Sequence, residues 1–395
     1  MKVGEAVVNL IDSQDWVFPV PIAYGPGRLS EIAIHCTQAG MKNPLIVTDH
    51  GSLGLPFLTD LQDYLSKAGI ASQIFADISP NPRDDEVFAG KAQFLAAGHD
   101  GVIAIGGGSG MDGGKAIALV AYNEIDLWAF DTQAEPPDMA SYPAFPPLIT
   151  IPTTAGTGAE TESTAMVTDT KQMMKWCIWH PELKPAMVIL DPELTVGLPP
   201  HLTAWTGIDA MVHAIEAYCI SCFNPLCDGM ALEGLRLVSQ WLPVAVAEPA
   251  NLEARGAVLT GSCLAGVAFL KGLGAVHAIS HMVGAEYDTQ HGLTNAIILP
   301  AVLRYNAPSI ETKVAPMAQA MGLHDTDFES FYGHICKLLD ALDIPKTLTE
   351  IGASNDCAPR IAAKALKDSA AETNPRPLTQ ETMERLVTDA LCVGR

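Results

Sequence analysis

The chain has 395 residues, of which 48% are hydrophobic and 17% charged, and its formal net charge is −22. The length suits two domains of ordinary size, and the balance excludes an intrinsically disordered chain. The negative charge repels a nucleic-acid duplex or an anionic membrane surface, so any phosphate must be met locally by backbone N–H groups and a few placed cations.

Residues 1–10 contain one early lysine and no sustained apolar stretch, which argues against a secretory signal. No apolar run approaches the ~18–20 residues needed to span a bilayer, so a cytoplasmic location is expected. Residues 44–48 read as a buried strand. Residues 57–68 follow with apolar side chains at 57, 58, 61, 64 and 65, a helical period. A short strand at 72–75 precedes a helix at 84–97, for which Asp84 is the expected N-cap. Residues 102–105 form another buried strand that runs straight into glycines, and 111–122 the next helix. Residues 134–152 carry six prolines and read as a surface loop. Strands at 148–151 and 187–190 complete this half. Strands alternating with helices of this length imply a parallel sheet with right-handed crossovers.

Beyond Leu198-Pro-Pro200 the character changes. Helices are expected at 203–219, 230–246, 252–269, 276–283, 310–321, 328–342, 358–367 and 380–391, with no convincing strand. The expected division is an α/β domain over 1–197 and a helical domain over 198–395. The nine cysteines are odd in number and scattered, as in a reducing compartment. The single CxxC step, Cys219 to Cys222, has no second pair nearby and reads as ordinary thiols.

Three stretches carry chemistry. The first is Gly106-Gly-Gly-Ser-Gly-Met-Asp-Gly-Gly-Lys115, at a strand-to-helix turn. Glycines let the backbone approach a pyrophosphate, and a helix N-terminus offers unpaired N–H groups and partial positive charge. Gly107, Gly108 and Ser109 are expected to face phosphate. Asp112 falls where it can cap the helix, and Lys115 either approaches the phosphates or is simply exposed. A GxGxxG match alone is weak, because no acid ends the next strand. Asp49, at the end of the 45–48 strand, is the better candidate for the ribose 2′-hydroxyl. It would repel a 2′-phosphate and so favour NAD. The second stretch, Pro152-Thr-Thr-Ala-Gly-Thr-Gly-Ala-Glu160, crowds three hydroxyls after a strand, which suits a small ligand in the sheet crevice.

The third is a set of potential metal ligands. Asp209 and His213 are spaced i,i+4 on one predicted helix, and His277 and His281 likewise on another. His291 lies ten residues further on, in a turn-like stretch. A mixed imidazole and carboxylate set suits Fe²⁺ or Zn²⁺.

These motifs, with Gly207-Ile-Asp-Ala-Met-Val-His-Ala-Ile-Glu-Ala-Tyr218 and Gly274-Ala-Val-His-Ala-Ile-Ser-His281 followed by His291-Gly292, resemble the iron-containing (group III) alcohol dehydrogenase family. The resemblance covers nearly the whole chain. It implies a Rossmann-like parallel-sheet domain followed by a helical domain, the dehydroquinate synthase-like arrangement, and at least a homodimer. It implies that Asp209, His213, His277 and His291 bind the metal, while His281 lies beside nicotinamide and substrate. Asp49, Asn81, Gly108, Ser109, Thr153, Thr154, Thr157 and Lys175 match positions that touch NAD. The implied reaction is hydride transfer between NAD(H) and a small primary alcohol or aldehyde. A divalent metal would lower the pKa of the hydroxyl and polarise the aldehyde carbonyl.

The chain departs from the pattern at Ala268-Phe-Leu-Lys-Gly-Leu-Gly274, which is one residue short and contains Lys271. Two readings stand open for Lys271. In one it meets a substrate carboxylate, which would make a hydroxy acid or semialdehyde the substrate of a dehydrogenase or transhydrogenase. In the other it is a solvated lysine. A sugar-phosphate cyclase on the same architecture would need basic clusters that the helical half lacks.

Overall fold

The computed structural model describes residues 14–16 and 20–395. Residues 1–10, read above as lacking a secretory signal, lie outside the described residues. Among the described residues the first half builds nine strands: β1 (Gln14–Trp16), β2 (Ile22–Tyr24), β3 (Leu45–Asp49), β4 (Gln73–Ile78), β5 (Val102–Gly106), β6 (Leu148–Pro152), β7 (Thr164–Asp169), β8 (Met174–Trp179) and β9 (Met187–Leu190). Seven form one sheet in the order β1-β2-β9-β6-β5-β3-β4, parallel throughout except for β1. The central strands are continuous apolar runs because both of their faces are covered. On one face, Ile46, Ile103, Ile105, Ile149 and Ile151 pack under α1 (Ile32–Gln38) and α2 (Pro56–Lys67). On the other, Leu45, Val47, Val102, Ala104 and Leu148 meet α3 (Asp84–Ala96) and α4 (Gly108–Val120).

The helices after β3 and β5 therefore leave on opposite faces. The crevice between these adjacent strands, at their C-terminal ends, is a topological switch point, where open α/β sheets bind ligands. Helix α4 is pressed onto the strand ends there. A Cβ at Gly110 would sit 2.9 Å from the Ile105 carbonyl oxygen and 3.4 Å from Thr48 Cα, so only glycine permits this approach.

One expectation about the first half is corrected. Asp84 is the first residue inside α3 and not its cap. The N-cap is Arg83, whose N–H donates to the Glu86 carboxylate, which also accepts from Ser79. The antiparallel hairpin β7–β8 was not anticipated. It turns through Met173 at φ 52° rather than through a glycine, so it lacks the usual hairpin signal.

The second half is helical: α5 (Pro200–Cys219), α6 (Pro225–Ala247), α7 (Leu252–Ala268), α8 (Ala275–Tyr287), α9 (His291–Asn306), α10 (Glu311–Ala320), α11 (Phe328–Ala341), α12 (Ala358–Ala365), α13 (Ser369–Glu372) and α14 (Gln380–Cys392). The stretch Leu252–Lys271 is long and apolar enough to cross a membrane, yet most of it is buried inside the fold. It includes Glu253, Arg255 and Lys271, so it is no unbroken apolar run. The two halves meet closely in the loop after β6, where a Cβ on Gly156 would lie 2.5 Å from the Thr206 carbonyl oxygen of α5. Gly158, in the left-handed region at φ 61°, packs on Gly266 of α7, and a Cβ on Gly158 would lie 2.5 Å from the Gly266 Cα.

Candidate active site

A cleft of about 1690 Å³ runs between the C-terminal ends of the strands and the helical half. Its α/β wall starts at the β5–α4 turn, where Gly107 is the N-cap of α4 and Gly108 its first residue. Ser109 and Asp112 line the same wall, as do Thr153, Thr154 and Thr157 from the loop after β6. Thr154 approaches Gly107 and Thr157 approaches Gly108. The Thr154 hydroxyl is buried without a partner in the protein. A free helix N-terminus beside an orphaned hydroxyl is a cradle for an anionic pyrophosphate, and it meets the need for local phosphate contacts set by the net charge. Asp49 ends β3 at the cleft rim, where its carboxylate accepts from the N–H and the hydroxyl of Ser52 at 3.0 and 3.1 Å.

Lys175 on β8 is a buried ammonium facing the cleft, with a 3.2 Å bond to Asn81 Oδ1. Burial lowers its pKa, while Asp112, Asp209, Asp368 and Asp288 pull it back up. Asn81 itself stands behind the cleft wall and not in it. Its amide donates to Asp288 at 2.8 Å, tying the loop after β4 to the C-terminal end of α8.

Two cofactor-loop expectations change. Asp112 does not cap α4. It is half-buried on the cleft wall, and the loss of hydration there pushes its carboxyl up to about 6 against the pull of Lys115 and Lys175. Lys115 neither approaches phosphate nor is exposed. It is fully buried, and its ammonium donates to the carbonyls of Ala159 and Thr164, anchoring the hydroxyl-rich loop to β7.

At the helical end of the cleft, α5 brings Asp209 and His213, α8 brings His277, and α9 begins at His291. His291 is thus the first residue of a helix capped by Gln290, not part of a turn. One ligating atom from each of the four lies within 4.8 Å of the others. The Nε2 atoms of His213, His277 and His291 lie 4.0, 3.9 and 3.7 Å from Asp209 Oδ1. Each ring is turned inward by a bond at its far nitrogen: His213 Nδ1 to the Gly156 carbonyl at 3.2 Å, His277 Nδ1 to Glu216 at 2.6 Å, and His291 Nδ1 to the Ser280 hydroxyl at 3.2 Å. Burial and neighbouring imidazoles hold His213 and His291 well below the usual histidine pKa, so their lone pairs are available. Three imidazoles and a carboxylate, convergent and buried except for the half-buried His291, fit Fe²⁺ or Zn²⁺.

Glu216, Ser280 and Asn295 join the site without having been expected from the sequence. Asn295 lies one turn into α9 from His291. Its amide nitrogen is 2.7 Å from Asp209 Oδ1 and 3.1 Å from Nε2 of both His277 and His291. Glu216 was the most findable, as a further ionisable residue on the predominantly apolar α5, three positions after His213.

His281 lines the cleft one turn beyond His277, and its ring stacks on that of His291 with centroids 5.4 Å apart. Lys271 lines the cleft but is not solvated. Its side chain is 0% exposed and paired with Asp228 at 2.5 Å, and Asp228 also faces Lys313 at 3.7 Å.

Residues 19–192 match the iron-containing alcohol dehydrogenase model, and residues 203–391 the C-terminal model of the Fe-containing alcohol dehydrogenase family. The chain belongs to the iron-containing alcohol dehydrogenase family. It is 36% identical to the 1,3-propanediol dehydrogenase of Klebsiella pneumoniae over 374 residues, covering 92% of this chain and 95% of that protein. It is 33% identical to the NAD-dependent methanol dehydrogenase of Bacillus methanolicus, covering 95% of this chain and all of that one. The crystal structure of a 1,3-propanediol oxidoreductase superposes with a TM-score of 0.89 at 35% identity, covering 96% of this chain and 100% of the other. This family member is an oxidoreductase that uses NAD and iron to interconvert small alcohols and aldehydes.

Proposed function

We propose that the cleft holds NAD along the loops after β3, β5 and β6, and that Asp209, His213, His277 and His291 hold one Fe²⁺ at its helical end. Zn²⁺ suits the same donors. The observation that carries this reading is the convergence of four ligating atoms within 4.8 Å, opening onto the cleft that also receives the free N-terminus of α4. When bound, the metal supplies Lewis acidity toward the alcohol or carbonyl oxygen, and the nicotinamide accepts or returns the hydride.

The protein's residues bind and orient. The α4 N-terminus, Ser109 and the threonines at 153, 154 and 157 receive the pyrophosphate, and Asp49 the adenosine ribose. Lys175, steered by Asn81, adds the cation nearest the centre of the cleft. His281 is placed to exchange the hydroxyl proton. We assign residues 1–197 to the cofactor domain and 198–395 to the metal domain. The last strand ends at Leu190 and the first long helix begins at Pro200, which supports that boundary. A homodimer or higher homo-oligomer, working in the cytoplasm, completes the reading. It is supported by the family pattern and by the scattered set of nine cysteines.

The substrate end favours an alcohol without a carboxylate. One relative, 33% identical, is named 4-hydroxybutyrate dehydrogenase (Cupriavidus necator). In this chain the lysine best sited for such a group, Lys271, is already neutralised by Asp228.

The test is metal removal by a chelator, followed by reconstitution with Fe²⁺ and a panel of alcohols and aldehydes with NAD(H) and NADP(H). Chelation is expected to abolish turnover while NAD binding, read by protein fluorescence, persists. Full turnover in metal-free protein would defeat the assignment.

A further inference from the structure

His281 does not stand alone in the cleft. Its Nδ1 lies 2.8 Å from Oδ2 of Asp368, a residue 87 positions away in the chain. Both side chains are buried, at 9% and 5% exposure. The carboxylate is itself fixed. Its other oxygen accepts the Ala370 N–H at 2.9 Å, capping the short α13 against α8. The preceding residue is held from the α/β half, where Gln133 donates to the Lys367 carbonyl at 3.3 Å. The imidazole is thus pinned on one side by a carboxylate and flanked by the rings of His277 and His291.

We propose that Asp368 is a positioning residue for His281. It holds the Nδ1–H tautomer so that Nε2 turns its lone pair into the cleft and takes the substrate hydroxyl proton. The inference rests on the dehydrogenase reading above. A neutral imidazole carries one proton, and a carboxylate at hydrogen-bond distance draws that proton to the facing nitrogen. In the oxidation direction the substrate O–H bond breaks, its electron pair stays on oxygen, and an Nε2–H bond forms. The Asp368 carboxylate stabilises the imidazolium until Nε2 releases its proton to solvent. In reduction the same proton travels back. The logic is that of carboxylate-oriented histidine bases in general: the carboxylate sets tautomer and orientation without being protonated.

The experiment compares wild type, Asp368→Asn and Asp368→Glu, all metal-loaded and saturated with NAD. An asparagine offers one acceptor oxygen where the structure uses two, so either the ring or the α13 cap loses its bond. In Asp368→Asn, kcat is expected to fall about 100-fold, with KM for the alcohol, NAD affinity and metal content nearly unchanged; Asp368→Glu should recover part of the loss. Independently of any variant, histidine ¹⁵N shifts of the Zn²⁺-loaded wild type, assigned with His281→Asn, should report an Nδ1–H tautomer at this position. An Nε2–H tautomer in wild type, or an unchanged kcat in folded Asp368→Asn, overturns the proposal. Wild type that binds metal and NAD yet oxidises no alcohol would defeat the parent reading instead, while the tautomer would still be read.

Discussion

Glu216 on α5 accepts a 2.6 Å bond from His277 Nδ1 on α8, and the same carboxylate accepts the backbone N–H groups of Gly274 at 3.0 Å and Val276 at 2.9 Å. One buried side chain therefore sets both the start of α8 and the direction of the His277 ring. Groups of this kind hold metal-ligating imidazoles in tautomer and orientation, and losing them commonly costs about 10–100-fold in metal affinity. Glu216→Gln should weaken metal binding by that order in chelator competition while leaving NAD affinity intact. Unchanged metal affinity would show that the contact serves only the helix start.

The burial of Lys271 against Asp228 makes a distinct forecast. If the lysine met substrate carboxylates, Lys271→Met would damage hydroxy-acid oxidation selectively. Because its ammonium is already paired, the replacement should lower kcat/KM on neutral and carboxylate-bearing alcohols by the same factor. It should also cost about 1–3 kcal/mol of stability, since Asp228 keeps only the longer contact with Lys313. A loss confined to the acidic alcohols would revive the substrate role.

Asp49 offers a test at the other end of the cleft. Its carboxylate is oriented by Ser52 at the C-terminal end of β3, where it would oppose a 2′-phosphate. Asp49→Ser removes that charge and should raise the NADP-to-NAD ratio of kcat/KM on the order of tenfold or more. The gain should shrink at high ionic strength if it is electrostatic. An unchanged ratio would place the ribose elsewhere.

Legibility in the sequence followed the range of the interaction. β3, β5, β6 and β9 were readable because strands covered on both faces become uninterrupted apolar runs. Asp209 and His213 were readable because helical spacing alone puts them on one face. The hairpin β7–β8 was not, since its turn uses Met173 and its faces mix Trp, Lys and Thr. The partners of the site were the least legible. Glu216 meets His277 across 61 residues and Asp368 meets His281 across 87, so only packing of α5, α8 and α13 brings them together. Lys271 and Lys115 failed for a related reason. Nothing local says whether a lysine will be buried against an acceptor, and both are.

The corner behind the hydroxyl-rich loop should make stability depend on pH. Glu160 and Glu162 are 1% and 2% exposed, and burial pushes each carboxyl from 4.5 to about 7. Lys115 counteracts this for both, Cys263 for Glu160, and Thr161 and Lys184 for Glu162. Between about pH 4.5 and 7 the folded state therefore holds more protons at these sites than the unfolded chain. Their contribution to stability must fall as pH rises through that window and level off above it. Glu162→Gln, which keeps the shape and removes the charge, should be more favourable to stability at pH 8 than at pH 5.5, and Glu160→Gln likewise. Urea denaturation at the two pH values reads the difference directly. The variants are made singly, because Lys115 is buried in the same corner and would lose both carboxylates in the double variant. Equal effects of a replacement at both pH values would mean that the carboxyl is already ionised throughout and that Lys115, not a proton, balances it.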